Sequence, residues 1–151
     1  ALPIQIIATS EVPEVERWHA ALRLGINELG GTATTRRAQQ QIWLTTATYG
    51  WCDPILDGMY VMYTMEVDGA GTSAIFMCWN VIANGSWSDV TIARFMRHAL
   101  GHVLARRFAD LPCSAMASLS SLSCAAPDHF VTADLEFICG SGNVRSDVCS
   151  E

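Results

Sequence analysis

Two histidines four residues apart, His98 and His102, are the residues in this chain best spaced to do chemistry together. On an α-helix, side chains at i and i+4 lie one turn above each other on one face. Both imidazoles can then turn toward a single ion, and imidazole is the commonest metal ligand. A pair alone is a sparse signal, because surface and core histidines are common and a catalytic zinc normally has three protein ligands plus an open position for water. Asp110 has the right chemistry for a third ligand, although a cap or a bond to a backbone amide explains it equally well. His19, His129 and any free cysteine are remoter candidates. Arg94, one turn before His98, and Arg106 and Arg107, after His102, oppose a divalent cation unless they point into solvent.

The elements that must position this pair follow from the pattern around it. "PIQIIA" (Pro3 to Ala8) alternates and is β-rich, which predicts a first strand. From Pro13 to Leu29, Val15, Trp18, Leu22, Ile26 and Leu29 recur at helical spacing, with Pro13 at the start and Gly30-Gly31 past the end. "QIWLTTA" predicts a second strand and "GMYVMYTMEV" a third. Asp68-Gly69 then turns the chain into a fourth, "AIFMCWNVI", so these last two form a hairpin. A helix starting near Ser88 or Asp89, either of which can cap it, runs to about Arg107 and carries both histidines. Residues 109 to 130 lack a regular pattern. "VTADLEFICG" predicts a short last helix with Thr132 as its cap and Gly140 past its end.

Composition bounds the function. The 151 residues suit one domain, half of them are hydrophobic and 16% are charged, which argues against disorder. A net charge of −6, with nine scattered basic residues, argues against nucleic acid. The uncharged stretch from Gly69 to Ser88 contains too many glycines, asparagines and hydroxyls for a membrane span, and is read as a buried strand and a turn. Cys52, Cys78, Cys113, Cys124, Cys139 and Cys149 include no CxxC pair, so three disulfides in an oxidising, extracellular compartment are expected. A start at Ala1, without methionine or signal peptide, fits a processed secreted chain. Asn84-Gly85-Ser86 is a glycosylation acceptor by pattern, but Asn-Gly is also a turn signal, and the turn is preferred. The five tryptophans are assigned to the core or to a strand face, Met59, Met62, Met65 and Met77 to packing in strands, Ser118, Ser120, Ser121 and Ser123 to a loop, and "TTRRAQQQ" to a polar loop or strand lead-in.

The run "HALGHVLARRF" (His98 to Phe108) resembles the HExxHxxGxxH signature of the metzincin zinc peptidases, and Met116, eight residues beyond Phe108, resembles the methionine of their Met-turn in compact, matrixin-like members. The order of strands and helices is similar over nearly the whole chain, while the motif-level match covers residues 97 to 118. The resemblance implies an α+β fold. It would have a twisted, mostly parallel sheet with one antiparallel edge strand, a backing helix, an active-site helix, and an irregular C-terminal subdomain ending in a helix. It implies one domain over 1–151, its sheet and helices above (residues 1–104) and an irregular half below (residues 105–151).

The departures define the expected function. Ala99 stands where the family has its general-base glutamate, and a methyl group neither accepts nor passes a proton. General acid–base catalysis is worth about 10²- to 10⁴-fold. Phe108 stands at the third ligand, and its ring offers no lone pair. Ala105 stands at the glycine that lets the chain turn sharply out of the helix. The resemblance therefore implies a metzincin scaffold without catalysis: a monomeric pseudopeptidase, or a silenced or redesigned enzyme. His98 and His102 would hold zinc weakly or not at all, above a floor made by Met116. An extended peptide or protein would lie in a cleft beside an edge strand at residues 74–82, with neither nucleic acid nor membrane as partner. Two alternatives stand beside it: an unrelated disulfide-braced secreted binding module, and a zinc endopeptidase kept active by a substitute ligand.

Overall fold

The computed structural model describes residues 3–48, 50–52, 61–67, 71–105, 114, 116 and 130–140. Among them, five strands form one sheet: β1 (Pro3–Ala8), β2 (Thr32–Thr34), β3 (Gln40–Ala47), β4 (Met62–Glu66) and β5 (Thr72–Cys78). Their order across the sheet is β2-β1-β3-β5-β4. The first four in that order run parallel, and β4 closes the sheet antiparallel to β5. The fold is thus α+β, mostly parallel, with one antiparallel edge strand.

One face of the sheet is covered by two helices, α1 (Val15–Glu28) and a longer helix near the middle of the chain. Alternation decides which side chains go in. Ile4 and Ile6 of β1, Ile42 and Leu44 of β3, and Ile75 and Met77 of β5 are all buried on this face. Trp18, Leu22 and Ile26 of α1 meet them at helical spacing. Each such side chain contributes roughly 1.5–3 kcal/mol on burial, so this layer is the main source of stability. Helix α1 ends where Gly30 takes a φ of 80° and the Gly31 N–H reaches back to the Ile26 carbonyl at 3.0 Å. Glycine adopts that left-handed conformation without strain, as the Gly30-Gly31 signal predicts.

After β5 comes α2 (Trp79–Asn84), then α3 (Asp89–Ala105) and finally α4 (Thr132–Gly140). Ser88 caps α3, its Oγ accepting the Thr91 N–H at 3.2 Å. Asp89 instead pairs with Arg17, which also donates to the Trp87 carbonyl at 2.7 Å and so ties α1 to the start of α3.

Four expectations are corrected. The three-residue strand β2 stands at the sheet edge where the sequence offers only "TAT", too short for a period to register. The predicted strand at 74–82 ends at Cys78, and the run from Trp79 is helical. A short apolar run fits strand and helix alike, and tertiary context chooses. With Trp79 and Asn80 outward and Ile82 buried, the helix wins here. Asn84-Gly85 ends that helix in extended backbone rather than forming a turn. A Cβ on Gly85 would lie 2.4 Å from the Trp87 ring, so close approach explains this glycine. Finally, packing accounts for Trp18, Trp87, Met62 and Met77, and Trp43 stands on an exposed face of β3, but Trp51 and Trp79 are exposed outside the strands and Met65 is exposed within one; Met59 lies outside the described residues.

Candidate functional site

Helix α3 sets the site. Its inner stripe, Ile92, Met96, Leu100, Val103 and Leu104, is buried against the core. His98 and His102 are half-buried beside that stripe. Their Nε2 atoms stand 3.0 Å apart, with ring centroids 4.6 Å apart and the planes at 76°. At that distance one Nε2–H donates to the other ring's Nε2 lone pair. The i, i+4 spacing thus delivers what it predicts, two imidazoles converging on one point.

Met116 returns to the same helix. It is fully buried, and a Cβ placed on Gly101 would come within 2.1 Å of its Sδ. Only a glycine between the histidines lets the thioether pack this close. The backbone there is pinned by groups that the sequence did not single out. The Met116 N–H is shared between Ser114 Oγ and Asp134 Oδ1, each at 3.1 Å. The other oxygen of Asp134 accepts the Val131 N–H at 2.9 Å, which caps α4. Asp134 is completely buried, and it couples the start of α4 to the methionine turn. Thr132, expected as that cap, is the first helical residue instead, and Gly140 closes the helix from inside. The missed signal was an acidic residue three positions into an apolar helix, where it can bond back to the capping N–H.

The opposite flank of α3 is locked. Arg97 is buried and binds Glu28 of α1 through Nε at 2.8 Å and through Nη2, while Nη1 donates to the Ala93 carbonyl at 3.3 Å. Glu28 Oε1 accepts the Phe130 N–H at 2.8 Å. One ion pair therefore holds α1, α3 and the lead-in to α4 together.

The remaining site residues divide clearly. Ala99 is 1% exposed and belongs to the hydrophobic core. Ala105, at the glycine position, is buried and is the last described residue of α3. Phe108, Asp110, Arg106, Arg107, His129 and Ser118 to Ser123 lie outside the described residues. His19 sits on α1 in a shallow depression lined by Ala8, Ser10, Val15, Glu16 and Arg23, none of them on α3. Burial, helped by the Arg23 charge, holds its pKa below the usual histidine value. Among the described residues, no group of three or more His, Cys, Asp or Glu side chains could hold a metal.

Among the described residues, His98 and His102 supply two nitrogens, where a catalytic zinc normally has three protein ligands. The third position of the motif is an aromatic hydrocarbon.

The strand that borders this helix is not the one expected. Segment 72–78 is paired on both sides, by β3 and by β4, so it has no open edge. The outer strand is β4, which packs against α3. Val61 and Val67 bond inward to Cys78 and Thr72, at 2.8 Å each. By antiparallel alternation, the backbone groups of Met62 and Thr64 are directed away from the sheet.

Cys52 and Cys78 form a disulfide, and Cys139 is disulfide-bonded as well. Cys113, Cys124 and Cys149 lie outside the described residues. A disulfide is compatible with an oxidising compartment. Among the described residues, no helix is long and apolar enough to cross a membrane. No protein-family model matches the chain, and no curated protein matches it.

Proposed function

We propose that the protein is a catalytically silent, metzincin-like zinc-peptidase scaffold that retains a peptide cleft. One observation carries this reading: a methionine distant in sequence returns to pack on Gly101, beside two imidazoles that converge at 3.0 Å. A metal-site helix supported by a methionine turn is what the resemblance of residues 97–118 implies. Nothing in helix packing alone requires those two features to coincide.

The chemistry is silent for reasons that lie in named side chains. Ala99 supplies no proton acceptor beside the first histidine, and Phe108 supplies no third donor. Zinc, when present, is held weakly by His98 and His102, where it would polarise a carbonyl or a bound water. An extended peptide or protein lies along the outer edge of β4, adding its own backbone hydrogen bonds to Met62 and Thr64. An oxidising, extracellular location accords with the disulfides.

Restoring the missing groups tests the reading. Phe108→His alone is expected to raise zinc affinity by at least tenfold and to bring zinc toward one ion per chain, measured by elemental analysis. The double variant Ala99→Glu, Phe108→His is expected to cleave casein or a quenched peptide, with the glutamate worth about 10²- to 10⁴-fold over Phe108→His alone. A folded Phe108→His variant that takes up no more zinc than the parent would overturn the proposal. That readout holds even where a carboxylate at the buried Ala99 position impairs folding.

A further inference from the structure

A second place in the molecule gathers ionisable groups that the fold does not use. Beside α1, at the carboxyl end of β1, a depression of about 460 Å³ is lined by Ala8, Ser10, Val15, Glu16, His19 and Arg23. We infer that it binds a small zwitterion of dipeptide size, with Arg23 and His19 holding the carboxylate and Glu16 the ammonium group. The site is separate from the histidine pair on α3, and the reading proposed above makes no use of its residues.

Position comes first. Strand β1 is an interior strand, paired in parallel with β2 on one side and β3 on the other. Open, mostly parallel sheets hold ligands outside the carboxyl ends of their strands, where the chain leaves for the next element. Ala8 is the last residue of β1 and Val15 the first of α1. Between them Glu14 makes the step into the helix in the left-handed conformation, at φ 52° and ψ 41°. A residue other than glycine seldom takes that conformation, and those that do gather at binding and active sites.

The lining then gives the chemistry. Glu16, His19 and Arg23 follow one stripe of α1, at i, i+3 and i+7. Their Cα atoms climb about 10 Å along the helix, with the carboxylate at one end and the guanidinium at the other. Elsewhere on α1 the charges brace the fold: Arg17 binds Glu14, Asp89 and the Trp87 carbonyl, and Glu28 binds Arg97. Among the described residues, Glu16, His19 and Arg23 have no hydrogen-bond or ion-pair partner, so their polar atoms are open to a ligand. Burial and the Arg23 charge keep the half-buried His19 ring neutral at neutral pH, with one nitrogen to donate and the other to accept. Arg23 therefore supplies the charge for a carboxylate, His19 and Ser10 supply hydrogen bonds beside it, and Ala8 and Val15 offer apolar surface to the body of the ligand. A ligand with one charge would leave Glu16 or Arg23 unanswered. An extended dipeptide spans about 7 Å, a length that two long side chains leaning in from 10 Å apart bracket at both ends.

The test is titration of the full chain with alanylalanine at neutral pH, followed by calorimetry and by the His19 ring signals in long-range proton–nitrogen spectra. One dipeptide per chain is expected, with a dissociation constant on the order of 1 mM for so open a site. Blocking the ammonium (N-acetyl-alanylalanine) or the carboxylate (alanylalanine amide) should each weaken binding by about threefold or more. Arg23→Gln should remove the preference for the free carboxylate alone, and Glu16→Gln the preference for the free ammonium alone. Both positions are exposed, so neither change threatens the fold. Three results would each overturn the inference: His19 signals that stay put at concentrations roughly twentyfold above that constant, blocked peptides that bind as well as the free one, or undiminished binding in the double variant Glu16→Gln, Arg23→Gln. Binding of that last kind would belong to the edge of β4, and none of the three bears on zinc uptake by Phe108→His, so the two proposals fail separately.

Discussion

Arg97 and His98 are neighbours on one helix, and the protein treats them in opposite ways. Arg97 is buried and enclosed by partners: Glu28 on α1, which in turn holds the Phe130 amide, and the Ala93 carbonyl. His98 is half-buried, and its Nε2 meets the matching nitrogen of His102. The first arrangement spends polar groups on joining three segments of chain. The second brings two imidazole nitrogens together at one point on the helix. A polar residue on an apolar helix is therefore not by its type either structural or functional; what closes its hydrogen bonds decides.

The sharpest way to break this contrast is to remove the ion pair. Arg97→Ala leaves the partly exposed Glu28 carboxylate to water, whereas Glu28→Ala leaves a buried guanidinium without its anion. Stranding one partner of a buried pair costs roughly 3–5 kcal/mol. We expect Glu28→Ala to lose that much stability in urea unfolding and also to loosen the lead-in to α4, whose Phe130 amide Glu28 holds, and Arg97→Ala to lose less, because its stranded carboxylate reaches water. The double variant should lose less than the sum of the two. Independent, additive losses would show that the pair does not act as a unit.

A smaller effect tests the methionine floor. Gly101→Ala gains up to about 1 kcal/mol in helix propensity. It also places a methyl group 2.1 Å from the present position of the Met116 sulfur, inside a fully buried contact. Overpacking of this kind costs about 1–3 kcal/mol, so the net change should be destabilising. The pairing Gly101→Ala, Met116→Ala should recover some of the loss, since a shorter side chain makes room. A stable Gly101→Ala single variant would mean that Met116 is not held against the helix.

These two regions were not equally legible in the sequence. The histidine spacing announced convergence, because helix geometry maps i and i+4 onto one face with no help from tertiary contacts. The strand at Pro3–Ala8, the helix ending at Gly30-Gly31 and the hairpin beneath Asp68-Gly69 were legible for the same reason: their signals are local. Glu28–Arg97 was not, because the partners are 69 positions apart and nothing local distinguishes this glutamate from an exposed one. Asp134 escaped for a related reason, since half of its work is on Met116, 18 residues earlier. The open edge of the sheet was misplaced because strand order is a long-range property. Segment 72–78 and β4 are successive in the chain, and only pairing with β3 shows which of them lies inside.

The smallest expected effect is the one that separates the two regions most cleanly. His98→Ala and His102→Ala each remove one half-buried imidazole and the hydrogen bond between the two rings, whose net worth is about 0.5–1.5 kcal/mol. Some of even that is returned, because the ring left behind is half-exposed and can bond to water. We therefore expect each variant to unfold within about 1 kcal/mol of the parent, several-fold less than the loss for Glu28→Ala. Alanine is also the better helix former, by a few tenths of a kcal/mol, and this narrows the gap further. Matched urea curves for the three variants provide the measurement. If either histidine proved as costly as Glu28, the pair would be a brace for the fold, and its converging nitrogens would be a by-product of packing. A near-neutral result leaves two donors held in register by a helix that does not need them, which is the energetic signature of residues placed for a ligand.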